Sequence, residues 1–274
     1  MSAVEFVRSG SAQLAISRFG SGSPTVVLLH PAVADRRCWT VVAEQLASLA
    51  HVITYDQRGF GETTYAPEPH RPADDLAAVL DAHGADQIVL VGNSRGGRIA
   101  TEFALDAPER VSTLVLIGAA IAGAPQPATL SPDLEAMFEA VDRLEAAGDL
   151  DAVNAIEARI WLDGPSRPEG AVGGHARDLF LAMNGRALRA EPTGDELASD
   201  DPTAWDRLGA LTMPVHAVVG EHDLPHVIER MRFVADRVQR ATFTMIANTA
   251  HVPQLDEPNA LLATLHDVLT SMTT

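Results

Sequence analysis

Residues 88–100 read IVLVGNSRGGRIA, an apolar run followed by a glycine-rich turn and a helical pattern. Within it, Gly92-Asn93-Ser94-Arg95-Gly96 has the form G-x-S-x-G, which puts a serine on a sharp strand-to-helix turn. Small residues are needed two positions before and after the serine, because a Cβ there would meet the neighbouring strand or helix. The stretch predicts a raised Ser94 hydroxyl beside a helix N-terminus, where N–H groups favour developing negative charge. A turn that only packs tightly is the competing interpretation.

Apolar runs and amphipathic segments alternate on both sides of this turn. Continuous apolar runs bounded by turn residues are typical of strands buried on both faces of a parallel sheet, and the segments between them carry helix signals. We therefore predict an α/β fold with a mostly parallel central sheet and helices on both faces, edged by an antiparallel hairpin over residues 4–20. The predicted strands are TVVLLH (25–30), HVITYD (51–56), QIVLVG (87–92), VSTLVLIG (111–118), PVHAVVG (214–220) and ATFTMI (241–246).

Residues 121–210 interrupt this alternation. They have no strand pattern and are helical, acidic and punctuated by proline and glycine. We predict a helical cap at 121–210, inserted into a core domain of residues 1–120 and 211–274, that lies over the carboxyl edge of the sheet. The bulky candidates for a pocket wall in this aromatic-poor segment are Trp161, Phe138 and Phe180. Its arginines could recognise an acidic substrate or form a solvated face; they are Arg143, Arg159, Arg167, Arg177, Arg186 and Arg189.

A serine nucleophile needs a base, and His251 is the candidate. Among the ten histidines, it stands out because it follows the last predicted strand, in a loop at the carboxyl edge where catalytic groups gather in open α/β sheets. Asp223, just after the preceding strand in VVGEHDLP, is the candidate for the acid that orients the imidazole. The chain order Ser94, Asp223, His251 is that of α/β-hydrolases. The alternative for Asp223 is a cap of the helix that begins at Pro225.

Composition excludes several other classes of function. The formal net charge of −17 argues against nucleic-acid binding, because the phosphate backbone would be repelled. The single cysteine, Cys38, rules out an internal disulfide and is expected to be buried. His222 and His226 flank Asp223 at a spacing that can bind zinc, but without a third ligand we predict no metal and no cofactor.

We found no apolar run long enough to cross a membrane and no signal-peptide pattern at the start of the chain. We therefore expect a cytoplasmic protein without membrane contacts. It would be a monomer or a homodimer that acts on a small molecule.

Four motifs now stand in the order expected of the α/β-hydrolase superfamily: GNSRGG (92–97), DQRGFG (56–61), GEHD (220–223) and AHVPQLDEP (250–258). The chain resembles a member of that superfamily with a helical cap. The resemblance implies an α/β-hydrolase fold and an oxyanion hole formed by the N–H groups of Ala32 and Arg95. The family usually has His-Gly where this chain has His30-Pro31. Arg95 stands where an apolar residue is usual, and its side chain could leave the site or line it.

Within the superfamily, Ser94 argues against haloalkane dehalogenases and epoxide hydrolases, which use aspartate at this turn. The chain is most similar to small bacterial esterases and the enol-lactonase-like group, whose cap has a segment like WLDGPSRP (161–168). We therefore expect a serine hydrolase that cleaves a small carboxylic ester or lactone. The alternatives are a carbon–carbon bond hydrolase of ring-cleavage products, a cofactor-free haloperoxidase or perhydrolase, and a non-catalytic member of the fold.

Overall fold

The computed structural model describes residues 4–197 and 203–271, and eight strands within them form one sheet. The order of the strands across this sheet is β1-β2-β4-β3-β5-β6-β7-β8. The strands are β1 (Glu5–Ser9), β2 (Ala12–Phe19), β3 (Thr25–Leu29), β4 (His51–Tyr55), β5 (Ile88–Asn93), β6 (Val111–Ile117), β7 (Val215–Gly220) and β8 (Ala241–Ile246).

Strands β3 to β8 run parallel, and β1 and β2 form the antiparallel hairpin predicted at the edge of the sheet. All six residues of β5 are buried, as its continuous apolar sequence predicts for a central parallel strand. Because parallel strands end at the same edge, the loops after β3, β5, β6, β7 and β8 meet there. The predicted fold class is confirmed, and this edge carries the candidate site.

The helices connect the strands and form the cap. The α-helices are α1 (Thr40–Leu46), α2 (Pro72–Ala82), α3 (Arg95–Asp106), α4 (Pro132–Ala147), α5 (Leu150–Glu157), α6 (Gly174–Ala187), α7 (Ala204–Arg207), α8 (Pro225–Arg237), α9 (Pro253–Asp256) and α10 (Pro258–Ser271). Short 3₁₀ turns cover Arg36–Trp39, Pro108–Arg110 and Leu208–Ala210, and a π-helix covers Ala158–Asp163.

Two apolar layers hold the helices to the two faces of the sheet. Side chains of β5 alternate between them: Leu90 packs with α2, α3 and α8, whereas Val91 packs with α1 and α10. Fully burying one such aliphatic side chain stabilises the fold by roughly 1.5–3 kcal/mol, so these layers dominate the stability of the core.

The cap occupies the chain between β6 and β7. Helix α4 begins at an N-cap, Ser131, followed by Pro132 at its first position, and it ends at Gly148 with φ of 73°. Cap residues Leu162 and Phe180 pack against Val33 and Val252, which belong to the loops after β3 and β8. The cap therefore contacts the core at the carboxyl edge of the sheet. We propose 121–210 as its limits.

Candidate active site

The turn between β5 and α3 holds Ser94 in an unusual backbone conformation, with φ of 52° and ψ of −114°. Such a conformation costs a non-glycine residue about 1–3 kcal/mol and persists only where its surroundings enforce it. Here they do. A Cβ on Gly92 would collide with the carbonyl oxygen of Gly96, and a Cβ on Gly96 would collide with that of Leu29 in β3. The two glycines let strand and helix approach closely enough to force the serine outward.

The end of β6 and the loop after it form hydrogen bonds to this turn. The Ser94 N–H donates to the carbonyl of Ile117 at 2.9 Å, and the Ala120 N–H donates to the carbonyl of Ser94 at 3.0 Å. The backbone of the serine is thus bonded to the last residue of β6 and to the loop that follows it.

Asp223 and His251 form a buried pair at the same edge of the sheet. Nδ1 of His251 lies 3.0 Å from Oδ1 and 2.9 Å from Oδ2 of Asp223, and the two residues are only 4% and 5% exposed. The carboxylate also accepts from the Leu224 N–H at 2.7 Å, which fixes its orientation. A carboxylate against Nδ1 makes that nitrogen the donor and leaves Nε2 to accept a proton.

Gly118 connects this pair to the serine turn. It has φ of 49°, and a Cβ on it would lie 2.9 Å from Oδ2 of Asp223 and 3.1 Å from Nδ1 of His251. The loop that is bonded to Ser94 therefore also lies against the acid and the base. No hydrogen bond joins the Ser94 hydroxyl to His251 among residues 4–197 and 203–271, and such catalytic contacts often tighten only when substrate is bound.

Two buried side-chain amides, those of Asn93 and Gln254, connect the loop that carries His251 to the end of β5. Their role was not predicted from the sequence. Nδ2 of Asn93 donates to the carbonyls of Ile117, at 2.9 Å, and His251, at 3.0 Å. Its Oδ1 accepts from Nε2 of Gln254 at 2.9 Å. Both positions lie inside quoted motifs, but nothing in the motifs indicates that Asn93 faces the histidine.

Cys38 is buried beside Gln254 as expected, and burial raises the pKa of its thiol well above the ordinary value.

The predicted oxyanion donors lie on the loops after β3 and β5. Arg95 is the first residue of α3, so its N–H has no partner within the helix. Ala32 is exposed in a turn closed by a 3.3 Å bond from the Ala34 N–H to the Pro31 carbonyl. In the described part of the chain, the backbone hydrogen bonds of turns, loops and helix caps include none donated by the N–H of Ala32 or of Arg95. Both remain candidates to bind a substrate oxygen.

His30 and Gln57 support the Ala32 loop from below, a role that the sequence did not reveal. Nδ1 of His30 donates to the Pro31 carbonyl at 2.8 Å, and its Nε2 accepts from the Gln57 N–H at 3.0 Å. Nε2 of Gln57 donates back to the His30 carbonyl at 2.7 Å. Burial lowers the pKa of His30 to about 4, so the neutral tautomer that these bonds require is maintained at pH 7.

The Arg95 side chain contacts the loop after β4 and the end of the cap. Its Nε donates to Oε1 of Gln57 at 2.9 Å, and its guanidinium pairs with Glu196. Arg98, one turn further along α3, pairs with the same carboxylate. The Arg95 side chain thus connects α3 to the segment that follows α6.

Trp161 packs against His251. It lies on the π-helix, its ring centroid is 4.7 Å from that of His251, and its carbonyl accepts from the His251 N–H at 3.2 Å. Phe138 stands behind it with a centroid distance of 6.3 Å. Phe180 is fully buried among apolar side chains, which favours packing over the predicted contact with substrate. Trp161 and Phe138 remain candidates for the pocket wall.

Arg167 of the cap is bonded to the loop that carries the base. It donates to the Asn248 carbonyl at 2.9 Å and to Oδ2 of Asp256 at 2.6 Å, and that same oxygen accepts from the Ala250 N–H at 3.1 Å. Its other bonds go to cap carbonyls of the π-helix. One guanidinium therefore joins the cap to core residues three positions before and five positions after His251.

Other cap arginines satisfy carboxylates or carbonyls of the cap itself. Arg177 pairs with Asp163, which is fully buried, and Arg189 pairs with Asp151 at 2.7 Å. Arg159 donates to the carbonyl of Pro165 at 3.2 Å. These contacts favour a structural role for the three arginines over recognition of an acidic substrate.

The histidines beside Asp223 do not converge on a metal-like arrangement. Nδ1 of His222 contacts the Ser166 hydroxyl of the cap at 2.8 Å. Within the described ranges, no group of three or more His, Cys, Asp or Glu side chains is placed to hold a metal ion. No helix in that part of the chain has both the length and the apolar character to cross a bilayer.

Comparison with known proteins agrees with this geometry. The model of the alpha/beta hydrolase family matches residues 26–265. Over its whole length the chain is similar to a Bacillus subtilis (strain 168) protein named "Putative 2-succinyl-6-hydroxy-2,4-cyclohexadiene-1-carboxylate synthase", with 26% identity covering 99% of this chain and 100% of that one.

Two further proteins resemble the chain, the first in sequence and the second in structure. A 2-hydroxy-6-oxo-2,4-heptadienoate hydrolase of Pseudomonas putida F1 is 38% identical over 120 residues, which are 41% of this chain and 43% of that protein. The solved structure of Est816, described as an N-acyl homoserine lactone degrading enzyme, superposes with a TM-score of 0.68 and 28% identity, covering 96% of this chain and 99% of that one.

Proposed function

Because the chain belongs to the alpha/beta hydrolase family, we propose that it hydrolyses small carboxylic esters or lactones through Ser94, His251 and Asp223. The observation that carries this proposal is the buried Asp223–His251 pair beside a serine held at positive φ. A strained serine alone could be a packing feature. Together with an imidazole whose Nδ1 is bonded to a carboxylate, it has the parts of a nucleophile, a base and an orienting acid.

In the first half of the reaction, the Ser94 hydroxyl attacks the carbonyl carbon of the ester while Nε2 of His251 takes the hydroxyl proton. Asp223 holds the imidazole and stabilises the imidazolium that forms. The carbonyl oxygen gains negative charge, and the N–H groups of Ala32 and Arg95 bind it at the N-terminus of α3. His251 then gives its proton to the leaving alkoxide, and an acyl-serine remains.

In the second half, water enters where the alcohol has left. His251 takes a proton from this water as the hydroxide attacks the acyl carbonyl. The same two N–H groups stabilise the second oxyanion, and collapse of that intermediate returns the proton to Ser94 and releases a carboxylic acid. For a lactone, alcohol and acid belong to one molecule, so a single hydroxy acid is released.

The surroundings of the serine support small substrates. Trp161 packs against His251 and Phe138 lies next to Trp161, and aromatic residues make up only 5% of the chain. An apolar wall of this kind orients a short acyl or lactone body through burial rather than through charge. The likeness to the lactone-degrading Est816 supports the same class of bond.

Hydrolysis of a carbon–carbon bond is the second candidate. The local 38% identity to a 2-hydroxy-6-oxo-2,4-heptadienoate hydrolase favours it. Such a reaction would use the same serine turn and the same histidine, but it would require a pocket that binds an acidic dienoate.

A substrate screen separates the two candidates. Purified protein and its Ser94→Ala variant would be assayed on p-nitrophenyl acetate, butyrate and octanoate, on simple lactones, and on a 2-hydroxy-6-oxo-dienoate. We expect Ser94-dependent turnover of the short esters or lactones with a steep fall at octanoate. Turnover of the dienoate with no ester or lactone cleavage would replace the ester proposal by the second candidate.

A further inference from the structure

Helix α8 and the chain before α4 enclose a cavity of about 310 Å³ on the flank of the core. Pro125 and Gln126 line one side, and Trp205, His226, Arg230 and Phe233 line the other. We call this cavity the Arg230 groove. Its volume is at the lower end of the range for small-molecule sites.

The guanidinium in this groove has few partners of its own. Arg230 is half-buried, and its one hydrogen bond within the described residues is a long contact of 3.4 Å to the Ala119 carbonyl. It forms no ion pair with any carboxylate in that part of the chain. A guanidinium has five N–H donors, so most of its hydrogen-bonding capacity is unused. Burial lowers the pKa of Arg230, and the negative charge of Asp223 opposes that shift only in part.

Other buried arginines of this acidic protein are arranged differently. Arg58 faces Asp75 and Glu68, with N–O distances of 2.9 and 2.7 Å, and Arg167 faces Asp256 at 2.6 Å. With a net charge of −17, carboxylates are abundant. Arg230 is therefore a half-buried guanidinium that faces a cavity without a hydrogen-bonded carboxylate, and such a group is suited to bind an anionic ligand.

The rest of the groove defines what that ligand would be. Trp205 and Phe233 stack with ring centroids 4.3 Å apart and an interplanar angle of 12°, and Phe233 is 41% exposed, so the wall offers an apolar surface. His226 adds a ring N–H; burial and the neighbouring Arg230 lower the pKa of its imidazole, so this ring is neutral at pH 7. Glu229 on the rim is the charge that opposes an anion.

We propose that the Arg230 groove binds a small carboxylate with an apolar or aromatic body. The carboxylate would pair with the Arg230 guanidinium, whose planar fork matches two carboxylate oxygens, and would accept from His226. The apolar body would lie against the Trp205–Phe233 stack. None of Ser94, Asp223 and His251 lines this groove, so the proposal does not depend on which bond that serine cleaves.

The tryptophans allow this site to be observed directly. Trp205 lines the groove, Trp161 lies against His251, and Trp39 is fully buried. The indole N–H resonances of the full-length protein, assigned with single Trp→Phe variants, would be followed while benzoate is added. Benzamide, which has the same shape without the charge, is the control ligand.

We expect a saturable shift of the Trp205 resonance with benzoate and none with benzamide. Arg230→Gln should weaken benzoate binding at least tenfold, as expected for loss of a charge-assisted pair, and Arg230→Lys should restore part of it. Glu229→Gln should tighten binding roughly threefold because it removes an opposing surface charge. Arg237→Gln, an exposed position on the same helix, is the matched control and should change nothing.

Three results would overturn the proposal: no movement of Trp205, a shift confined to Trp161, or equal affinity for benzoate in Arg230→Gln and wild-type protein. The second of these would mean that the carboxylate binds at the active site. Because the Trp161 and Trp205 resonances also report folding, a variant that fails to fold would be recognised, and Arg230→Lys then decides the outcome.

Discussion

The two halves of the candidate active site are held in different ways. The nucleophile half, Ser94 with the N-terminus of α3, is fixed by backbone hydrogen bonds and by glycines that allow close approach of strand and helix. The base half, Asp223 with His251, is fixed by side chains, several of which belong to the cap, such as Trp161 and Arg167.

This difference determines how each half responds to change. The close backbone contacts around Ser94 tolerate little change, because a single added Cβ collides with the backbone of a neighbouring strand or helix. Side-chain contacts across 80 or more residues, such as Arg167 with Asp256, position a loop more loosely, so their loss should lower the rate without abolishing it. Five measurements test this contrast.

The largest effect is expected from removal of the nucleophile. Ser94→Ala should lower kcat on the best substrate by roughly 10⁶-fold, the size found when a serine triad loses its nucleophile. Because alanine at this position is small, the fold should be unchanged by circular dichroism. A folded variant with near-normal turnover would show that Ser94 is not the nucleophile.

The next effect concerns the acid of the base half. Asp223→Asn should keep the shape of the pair but favour the imidazole tautomer with its proton on Nε2, which lowers kcat by about 10⁴-fold. Single-turnover acylation would measure this loss. If activity stays within a factor of ten of the wild type, another carboxylate orients His251.

The point where the two halves touch is Gly118. In Gly118→Ala, the new Cβ would stand 2.9 Å from Oδ2 of Asp223, at a φ of 49° that disfavours alanine. A displacement of the pair on this scale should lower kcat by about 10²-fold with a smaller change in KM. Gly209→Ala, where no atom lies within 4 Å of the added methyl, is the matched control. Equal kinetics of both variants would mean that the base half adapts freely.

A smaller effect should follow from loosening the cap contact. Arg167→Gln removes the pair with Asp256 and the bond to Asn248, and we expect kcat to fall about tenfold because the His251 loop loses one of its anchors. The control is Arg189→Gln, a cap arginine whose partner Asp151 is exposed. A fall of the same size in both variants would indicate general damage to the cap.

The last effect is on stability rather than on rate, and it concerns the loop that carries Ala32, a candidate oxyanion donor. His30 has a folded-state pKa of about 4, below the ordinary value of 6.5, so the unfolded chain binds the extra proton first as the pH falls. The contribution of His30 to the free energy of unfolding is complete above about pH 6.5 and is lost as the pH falls toward 4. Between pH 8 and pH 5 the free energy of unfolding should therefore fall by about 2 kcal/mol.

Urea unfolding at the two pH values would measure this loss. In His30→Gln the corresponding part of the pH dependence should disappear, whatever the overall stability of that variant. An identical dependence in both proteins would mean that His30 does not titrate differently in the folded and unfolded states.

The same contrast explains what could be predicted from sequence. The strands, the parallel sheet and Ser94 were predictable because the apolar runs and the G-x-S-x-G turn are local signals. Asp223 and His251 could be located by their places after β7 and β8, and the structure brings them into contact.

Supporting residues were not predictable in this way. The sequence does not distinguish these side chains from other polar residues, and only folding buries them. Asn93 and Gln254 then bond to each other, and Asn93 and Gln57 bond to the loops that carry His251 and Ala32. Phe180 was predicted to touch substrate because it is bulky, but the direction of a side chain within a helical cap depends on how its helices pack. Arg167 was recognised as one of several cap arginines, and its partner was set by a distant loop.

The WLDGPSRP segment also limits how substrate can arrive. Arg167 grips the loop of the base, Ser166 contacts His222 at 2.8 Å next to the acid, and Gly164 lies so close to the His222 carbonyl that a Cβ would collide with it. A cap held at those points should not lift as one rigid lid without displacing Asp223 and His251, the proposed acid and base. We expect small molecules to enter and leave through local opening of the cap away from these contacts.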